Sequence, residues 1–300
     1  EGEIPSMVIV DESVVNQSVP EDVQDKTARG LRILQAFLAE ERFSETGLCW
    51  LTRDAVGVGE SDEVNGVSAS GLWGLLRTAR VENMGRSIRV VDLPGNGDTS
   101  LLKSALLLEK ESELAIREDQ LMGARLVAMR AVEETEDADE PGLQGSVLIT
   151  GGTGELGQAL SKHLIRVHEI KSLILTSRRG ESAPGAEELK LSLLELGADS
   201  VSIVACDIVQ RESLKAVLDG VEELGAVFHL AGVLEDSALP GMSEEQLNRV
   251  LAPKVDGAWN LHELTKDKEL SAFVVFSSVA GTLGGPGQAN YAAANTFLES

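Results

Sequence analysis

Apolar and polar residues fall along this chain in two alternating textures. Short apolar runs bounded by Gly, Pro, Ser or Asp predict buried strands at Met7–Val10, Leu48–Thr52, Ile88–Leu93, Val147–Ile149, Ser172–Thr176, Val201–Ala205, Ala226–Leu230 and Ala272–Phe276. Between them, apolar residues recur every three or four positions. That spacing predicts helices over Asp22–Glu41, Ala69–Glu82, Leu101–Lys110, Ala186–Leu196, Glu212–Leu218, around Glu244–Val250 and Ala258–Leu264, and over Tyr291–Glu299. Weaker strand patterns lie at Glu111–Ile116 and Ala124–Arg130. Strands alternating with helices predict an α/β fold with a doubly wound parallel sheet. There is no repeat beyond this alternation.

The run Val147-Leu148-Ile149 organises the rest. It feeds a glycine-dense turn, Thr150-Gly151-Gly152-Thr153-Gly154-Glu155-Leu156-Gly157. The turn opens a helix with Leu156, Ala159, Leu160, Leu164 and Val167 at helical spacing. Gly151 and Gly154 let backbone approach a pyrophosphate, and Gly157 lets the helix pack close to the strand. The N–H groups of the first helical turn then face the phosphates. A strand before and a helix after make the turn a dinucleotide site rather than a tight turn alone.

The alternation is broken by Glu133–Glu140, a run of carboxylates followed by Pro141-Gly142. Such runs are solvated linkers, and the boundary is placed there: residues 1–140 and 141–300. The spacing in the run gives no ligand pattern, so no metal is expected. The first part has the same α/β texture but no glycine-rich turn after a strand. It reads as a nucleotide-binding fold without the nucleotide site, a structural support.

Charge narrows the partners. A formal net charge of −23 argues against a nucleic-acid surface or an anionic membrane, and no apolar run approaches a membrane span. Glu1-Gly2-Glu3 opens the chain with no signal-peptide pattern and no Met, as expected of a piece of a larger polypeptide or of a processed product; the expected location is the cytoplasm. Cys49 and Cys206 sit in strand-like contexts and read as buried free thiols in a reducing compartment.

Candidate chemistry lies at strand ends, where open parallel sheets bind ligands. After the second strand of the second part come Ser177, Arg178 and Arg179, with no carboxylate to hold a ribose 2′-hydroxyl. Guanidinium groups there favour a 2′-phosphate, hence NADPH over NADH. Asp207, after the third strand, either accepts from the adenine amine or caps the following helix. Ala231-Gly232 ends the fourth strand and Ser277-Ser278 the fifth. Tyr291, the only tyrosine, opens the last helix, with Asn295 one turn on. Hydride reduction of a ketone needs a proton for the alkoxide. A phenol supplies it when a cation stabilises the phenolate left behind; Lys254 is that cation, and Ser278 can hold the carbonyl oxygen.

These motifs, with Phe228-His229-Leu230-Ala231-Gly232, Pro253-Lys254-Val255-Asp256-Gly257-Ala258 and Tyr291-Ala292-Ala293-Ala294-Asn295, resemble the ketoreductase domains of modular polyketide synthases, in the short-chain dehydrogenase/reductase superfamily. The resemblance spans essentially the whole chain. Leu48–Arg53 and Gly71–Arg77 resemble that family's structural subdomain. It implies a Rossmann-like catalytic subdomain preceded by a truncated Rossmann-like one. Ordinary short-chain reductases carry the catalytic lysine four residues after the tyrosine; here Asn295 stands there and Lys254 precedes it, as in synthase ketoreductases. The resemblance therefore implies Tyr291 as acid, Ser278 as carbonyl binder, Lys254 as tuner of the tyrosine and binder of the cofactor ribose, and Asn295 in a proton relay. It also implies a β-ketoacyl group on an acyl carrier protein as substrate, and the other domains of one synthase as partners.

In the family's B-type domains, which give the D-hydroxyl, Leu-Asp-Asp follows the Ala-Gly; this chain has Leu234-Glu235-Asp236. A-type domains carry Trp eight residues before the tyrosine; here Leu283 stands there. B-type is the expectation. The family's catalytic subdomain continues beyond the tyrosine helix with further strands and a lid, so a chain ending at Ser300 is expected to lack the sheet's far edge. A carrier-protein surface on so acidic a chain should be a local basic patch, with Arg77, Arg80, Arg86 and Arg89 as candidates. Two other readings remain: an inactive scaffold, which predicts decay of the glycine turn or tyrosine, and a free-standing reductase, which predicts neither the supporting half nor the Tyr…Asn exchange.

Overall fold

The computed structural model describes residues 3–14, 18–59, 62, 64–128 and 142–300. The acidic run expected to be a linker lies outside them. The chain divides into two compact units. The first is Glu1–Ala128 with Leu234–Leu251 and Ser277–Ser300; the second is Met129–Val233 with Ala252–Phe276. The expected boundary at 140 lies outside the described residues, and the units differ from the expected parts in that Leu234–Leu251 and Ser277–Ser300 group with the first.

The elements of the first unit begin with β1 (Met7–Asp11), α1 (Val19–Ala39), β2 (Gly47–Arg53), α2 (Ser70–Glu82), β3 (Ile88–Leu93), α3 (Leu102–Leu107), β4 (Glu113–Arg117) and β5 (Gln120–Gly123). The sheet runs β1-β2-β3-β4-β5, parallel except for the last pair. β2 and β3 are buried on both faces, which is why they read as unbroken apolar runs. The strand expected at Ala124–Arg130 is displaced to β5. Glu118 and Asp119 take positive φ, at 45° and 61°, and close a two-residue hairpin. Without Gly or Asn at those positions, the turn left no signature in the sequence.

The carboxyl ends of β2 and β3 are closed by side chains rather than open to a ligand. Buried Asp92 accepts from the Thr52 hydroxyl, the Ala55 N–H and Arg117, and Trp73 Nε1 donates to Thr52 Oγ1 at 3.3 Å. This network is the physical counterpart of a nucleotide fold without a nucleotide turn.

The second unit holds β6 (Ser146–Thr150), α4 (Glu155–His168), β7 (Ser172–Ser177), α5 (Ala186–Glu195), β8 (Ser200–Ala205), α6 (Arg211–Asp219) and β9 (Leu224–His229). Then come α7 (Glu244–Thr265), which begins in the first unit, and β10 (Ala272–Val275). Its sheet is wholly parallel, ordered β10-β9-β6-β7-β8. Alternation along β6 serves both faces: Val147 and Ile149 join one core with Leu173 and Leu175, while Leu148 joins the other with Val227 and Leu261. The two helices expected around Glu244–Val250 and Ala258–Leu264 are one, continuous through Pro253. Proline removes one backbone donor, yet the helix continues because Val250, Leu251, Val255, Ala258 and Leu261 are all buried along it. The expected apolar face of α4 is also shifted. Leu156 and Val167 are exposed, and Gly157, Ser161, Leu164 and Ile165 face inward.

The first unit is completed by α8 (Val279–Leu283) and α9 (Ala289–Glu299). α9 lies so close to α2 that a Cβ on Gly74 would stand 2.3 Å from the Ala292 carbonyl oxygen. Arg77 ties the same region together, donating to Glu113 at 2.9 and 2.8 Å and to the Gly281 carbonyl at 2.8 Å. The expected basic patch does not form. Arg77 and Arg80 share Glu113, and Arg86 stacks over Phe37 while donating to the Phe43 carbonyl. Buried Arg89 donates to the carbonyls of Ala105, Leu106, Leu108 and Glu111. These guanidinium groups hold the fold because the segments around them leave carbonyls and a carboxylate that strands and helices do not satisfy.

Candidate active site

In the second unit, the chain moves from β6 outward to β8 and then crosses to β9. The switch point therefore lies between the carboxyl ends of β6 and β9, where such sheets bind ligands. Both ends are held together by side chains. Thr150 Oγ1 lies 2.7 Å from His229 Nδ1 and accepts from the Ala231 N–H at 3.3 Å. The Thr150 carbonyl accepts from the Leu230 N–H. Which of Thr150 and His229 donates in this hydrogen bond follows the imidazole tautomer.

His229 is buried, and burial, with the Lys254 charge second, pushes its imidazole down to about 4. It is neutral at pH 7. The unfolded chain takes up this proton near pH 6.5 and the folded chain only near 4, so stability falls as pH drops through that window. Urea midpoints measured from pH 7 to 4.5 are expected to fall less steeply in His229→Asn than in the wild type; equal slopes would contradict this assignment.

The glycine turn leaves no room for side chains. Gly151 has φ +69°, and a Cβ on it would stand 3.0 Å from Ala231 backbone; a Cβ on Gly157 would stand 2.6 Å from the Gly151 carbonyl oxygen. Gly154 is the N-cap of α4 with no side-chain cap, leaving the helix terminus to Thr153, Glu155 and Leu156 around it. Arg178 and Arg179 are exposed directly after β7. Ser177 is spent locally, its hydroxyl accepting from the Gly180 N–H at 3.0 Å. Asp207 does not cap α6, whose N-cap is Gln210; it accepts from the Val209 N–H and its side chain is exposed. The capping alternative fails because Asp207 stands too early in the turn.

Lys254, on α7, is buried. Its ammonium donates to the Phe276 carbonyl at 2.8 Å, and burial pushes it down to about 8. Its Cε would lie 3.3 Å from a Cβ on Gly232. A cradle that any Cβ would fill, an uncapped helix end and exposed arginines after β7 fit a phosphorylated dinucleotide. Among the described residues no group of three or more His, Cys, Asp or Glu could hold a metal.

The remaining predicted residues belong to the first unit. Ser278 is the N-cap of α8, its hydroxyl accepting from the Ala280 N–H at 3.3 Å. Tyr291 stands half-buried in the first turn of α9. Asn295 is fully buried one turn on, and its Nδ2 donates to the Tyr291 carbonyl at 2.8 Å. Its Oδ1 has no hydrogen-bond partner among the described residues. Leu234 and Asp236 are exposed and Glu235 is half-buried. Sequence reasoning missed His229 as a site residue and Asn290 altogether. His229 could have been found from its place at the end of β9; nothing local marked Asn290.

Comparison with known proteins matches both parts of the chain. Residues 145–300 match the KR domain family, and residues 1–126 match the Rossmann fold domain of the polyketide synthase extender module SpnB. The chain is 43% identical over 281 residues to polyketide synthase GfsA of Streptomyces halstedii, covering 93% of this chain and 4% of that protein. Over 157 residues it is 52% identical to erythronolide synthase EryA2 of Saccharopolyspora erythraea, covering 52% of this chain and 4% of that protein. The chain thus spans a small fraction of these relatives. Among solved structures, A-type ketoreductases from a modular polyketide synthase superpose with a TM-score of 0.82 at 38% identity, covering 91% of this chain and 58% of the other. The first-module ketoreductase of phoslactomycin biosynthesis from Streptomyces sp. HK803 gives 0.83 at 33%, covering 99% and 66%. With a glycine cradle, a buried lysine and a tyrosine helix already in place, the chain belongs to the ketoreductase domains of modular polyketide synthases, oxidoreductases of the short-chain dehydrogenase/reductase superfamily that use a nicotinamide cofactor.

Proposed function

We propose that this domain reduces a β-ketoacyl thioester, presented on an acyl carrier protein, to the D-β-hydroxyacyl thioester, with NADPH as reductant. The observation that carries the reading is Lys254. A buried ammonium at the carboxyl ends of the nucleotide-binding sheet replaces the lysine that ordinary short-chain reductases carry where Asn295 stands. NADPH supplies the hydride that goes to the carbonyl carbon. Thr150, Gly151, Thr153, Gly154, Glu155, Leu156 and Gly157 bind its pyrophosphate, with Asp207 on the adenine and Ala231 and Gly232 beside the ribose. Arg178 and Arg179 take its 2′-phosphate. Ser278 holds the carbonyl oxygen, and Tyr291 gives that oxygen its proton as the charge develops. The Lys254 cation favours the phenolate, and Asn295, with Oδ1 open to a further partner, helps return a proton to it. Residues 1–140 act as support and 141–300 as the catalytic part. Leu234-Glu235-Asp236 and the absence of Trp at Leu283 support the D-alcohol.

The reading places the domain in the cytoplasm, within a larger synthase; among the described residues no helix is long and apolar enough to cross a membrane. The test is NADPH consumption with a β-ketoacyl N-acetylcysteamine thioester, with chiral analysis of the alcohol. NADPH-dependent D-alcohol is expected. L-alcohol would overturn the stereochemical assignment alone, and a folded chain that neither binds NADPH nor turns over would be a scaffold. Arg178→Ala with Arg179→Ala is expected to lower kcat/KM for NADPH about 10–100-fold and leave NADH use nearly unchanged, through loss of the charge-assisted phosphate contacts of two exposed side chains.

A further inference from the structure

The turn after β8 is held by the helix that carries Lys254, and both lie within the second unit. Asn260 stands half-buried on α7, beyond Lys254. Its Nδ2 donates to two successive carbonyls, those of Ile208 and Val209, at 3.0 Å each. An amide nitrogen carries two protons, one for each carbonyl. Gly257, three residues earlier and next to Asn260 on the helix surface, lets α7 come this close. A Cβ on it would stand 2.6 Å from Ile208 Cδ1. The Ile208–Val209 peptide is thus gripped at both ends. Its carbonyl accepts from Asn260, and its N–H donates to Asp207 Oδ1 at 3.2 Å. The peptide plane is rigid, so it passes the placement of Asn260 on to the Asp207 carboxylate. The Asp207 side chain is exposed; burial does nothing to aim it, and this N–H does.

We propose that Asn260 is a positioning residue that aims the Asp207 carboxylate at the adenine amine, and so sets the selectivity of the cofactor site for an adenine base. The inference rests on the proposed placement of the cofactor, with Asp207 on the adenine. The physical reason is orientation. A hydrogen bond weakens steeply as its angle departs from linear, and an exposed carboxylate free to turn accepts from water as readily as from a ligand. Fixing its rotamer before the ligand arrives removes an ordering cost from binding. Asparagine suits the position through its two donors. Aspartate has the same shape but sets oxygens against two carbonyl oxygens. Serine has one proton and a shorter reach. With the peptide released, the Val209 N–H turns to water and Asp207 loses its guide.

The test compares wild type, Asn260→Asp and Asn260→Ser. One readout is the Kd of NADPH against that of etheno-NADPH, whose adenine carries a two-carbon bridge across N1 and the amine and has no N–H left to donate there. The other is amide hydrogen exchange at Val209. Wild type is expected to prefer NADPH about tenfold, the worth of one hydrogen bond to an exposed carboxylate. Either variant is expected to bring the two constants to within about twofold of each other, and exchange at Val209 to quicken about tenfold. A loss of general stability would weaken both cofactors alike and leave their ratio at the wild-type value; that result in a folded variant overturns the selectivity role. Unchanged exchange in folded variants overturns the anchoring. Serine is neutral, and Asn260 is only half-buried, so water can reach the freed carbonyls; Asn260→Ser keeps the test decisive if Asn260→Asp fails to fold. A wild-type chain that binds both cofactors equally refutes the placement of Asp207 on the adenine, and the selectivity role with it, while exchange still decides whether Asn260 holds the turn. A wild-type chain that binds neither refutes the cofactor reading itself.

Discussion

Tyr291→Phe is expected to lower kcat by about 10²–10⁴-fold, the contribution of a positioned general acid. The substitution removes one oxygen and keeps the ring. Tyr291 is half-buried in the first turn of α9, and the helix is held by its neighbours. Asn290 and Thr296 secure its backbone, and Ala292 lies against Gly74. Stability and NADPH affinity should therefore be unchanged, because the residues assigned to the cofactor lie on the turn after β6 and at the ends of β7 and β9. The measurement is single-turnover reduction of the thioester with saturating NADPH, beside a fluorescence titration of the cofactor. Loss of turnover with intact binding supports the assignment. A variant retaining more than about a tenth of wild-type kcat would remove Tyr291 from the role of acid.

Lys26→Met is expected to destabilise the first unit by about 3–5 kcal/mol, the cost of leaving a buried charge without its partner. Lys26 is 1% exposed and lies 3.0 Å from Asp22, one turn earlier on α1. Its ammonium also donates to the Ser68 hydroxyl at 3.2 Å. Methionine preserves the shape of the side chain, so the loss arises from the stranded Asp22 carboxylate rather than from a cavity. Lys26→Met with Asp22→Leu removes both charges and is expected to recover most of the loss. The urea midpoint of tryptophan fluorescence reads both variants, since Trp50 and Trp73 are buried in the same unit. Equal destabilisation in the single and double variants would show that the pair contributes packing alone.

Much of the architecture was legible because burial on both faces of a parallel sheet writes itself as apolar runs. The strand at Ile88–Leu93 is stated by its own residues, and so is the helix following Gly154, though not which of its faces is buried. The glycine turn was legible for a steric reason: Gly151 and Gly157 stand where any Cβ meets backbone, and that demand admits one residue type. Less was legible where a turn used ordinary residues. Glu118 and Asp119 take positive φ without Gly, and the strand that follows them was placed several residues late. Apolar spacing gave two helices where burial carries one through Pro253.

By itself, then, the sequence determined the alternation of strands and helices, the glycine turn after β6, and the tyrosine with Asn295 one turn beyond it, because each depends on local spacing or on a residue that cannot be exchanged. Tertiary structure alone decided how charged and polar side chains are spent. Arg77, Arg80, Arg86 and Arg89 could be read as a basic surface until the structure turned each onto carbonyls, Glu113 or an aromatic ring. His229 became a neutral buried partner of Thr150, and Asn290 a link between a loop and a helix distant in sequence. A long polar side chain can reach many partners, and its own position does not say which. The fold selects the partner, by leaving one donor or acceptor unsatisfied within reach.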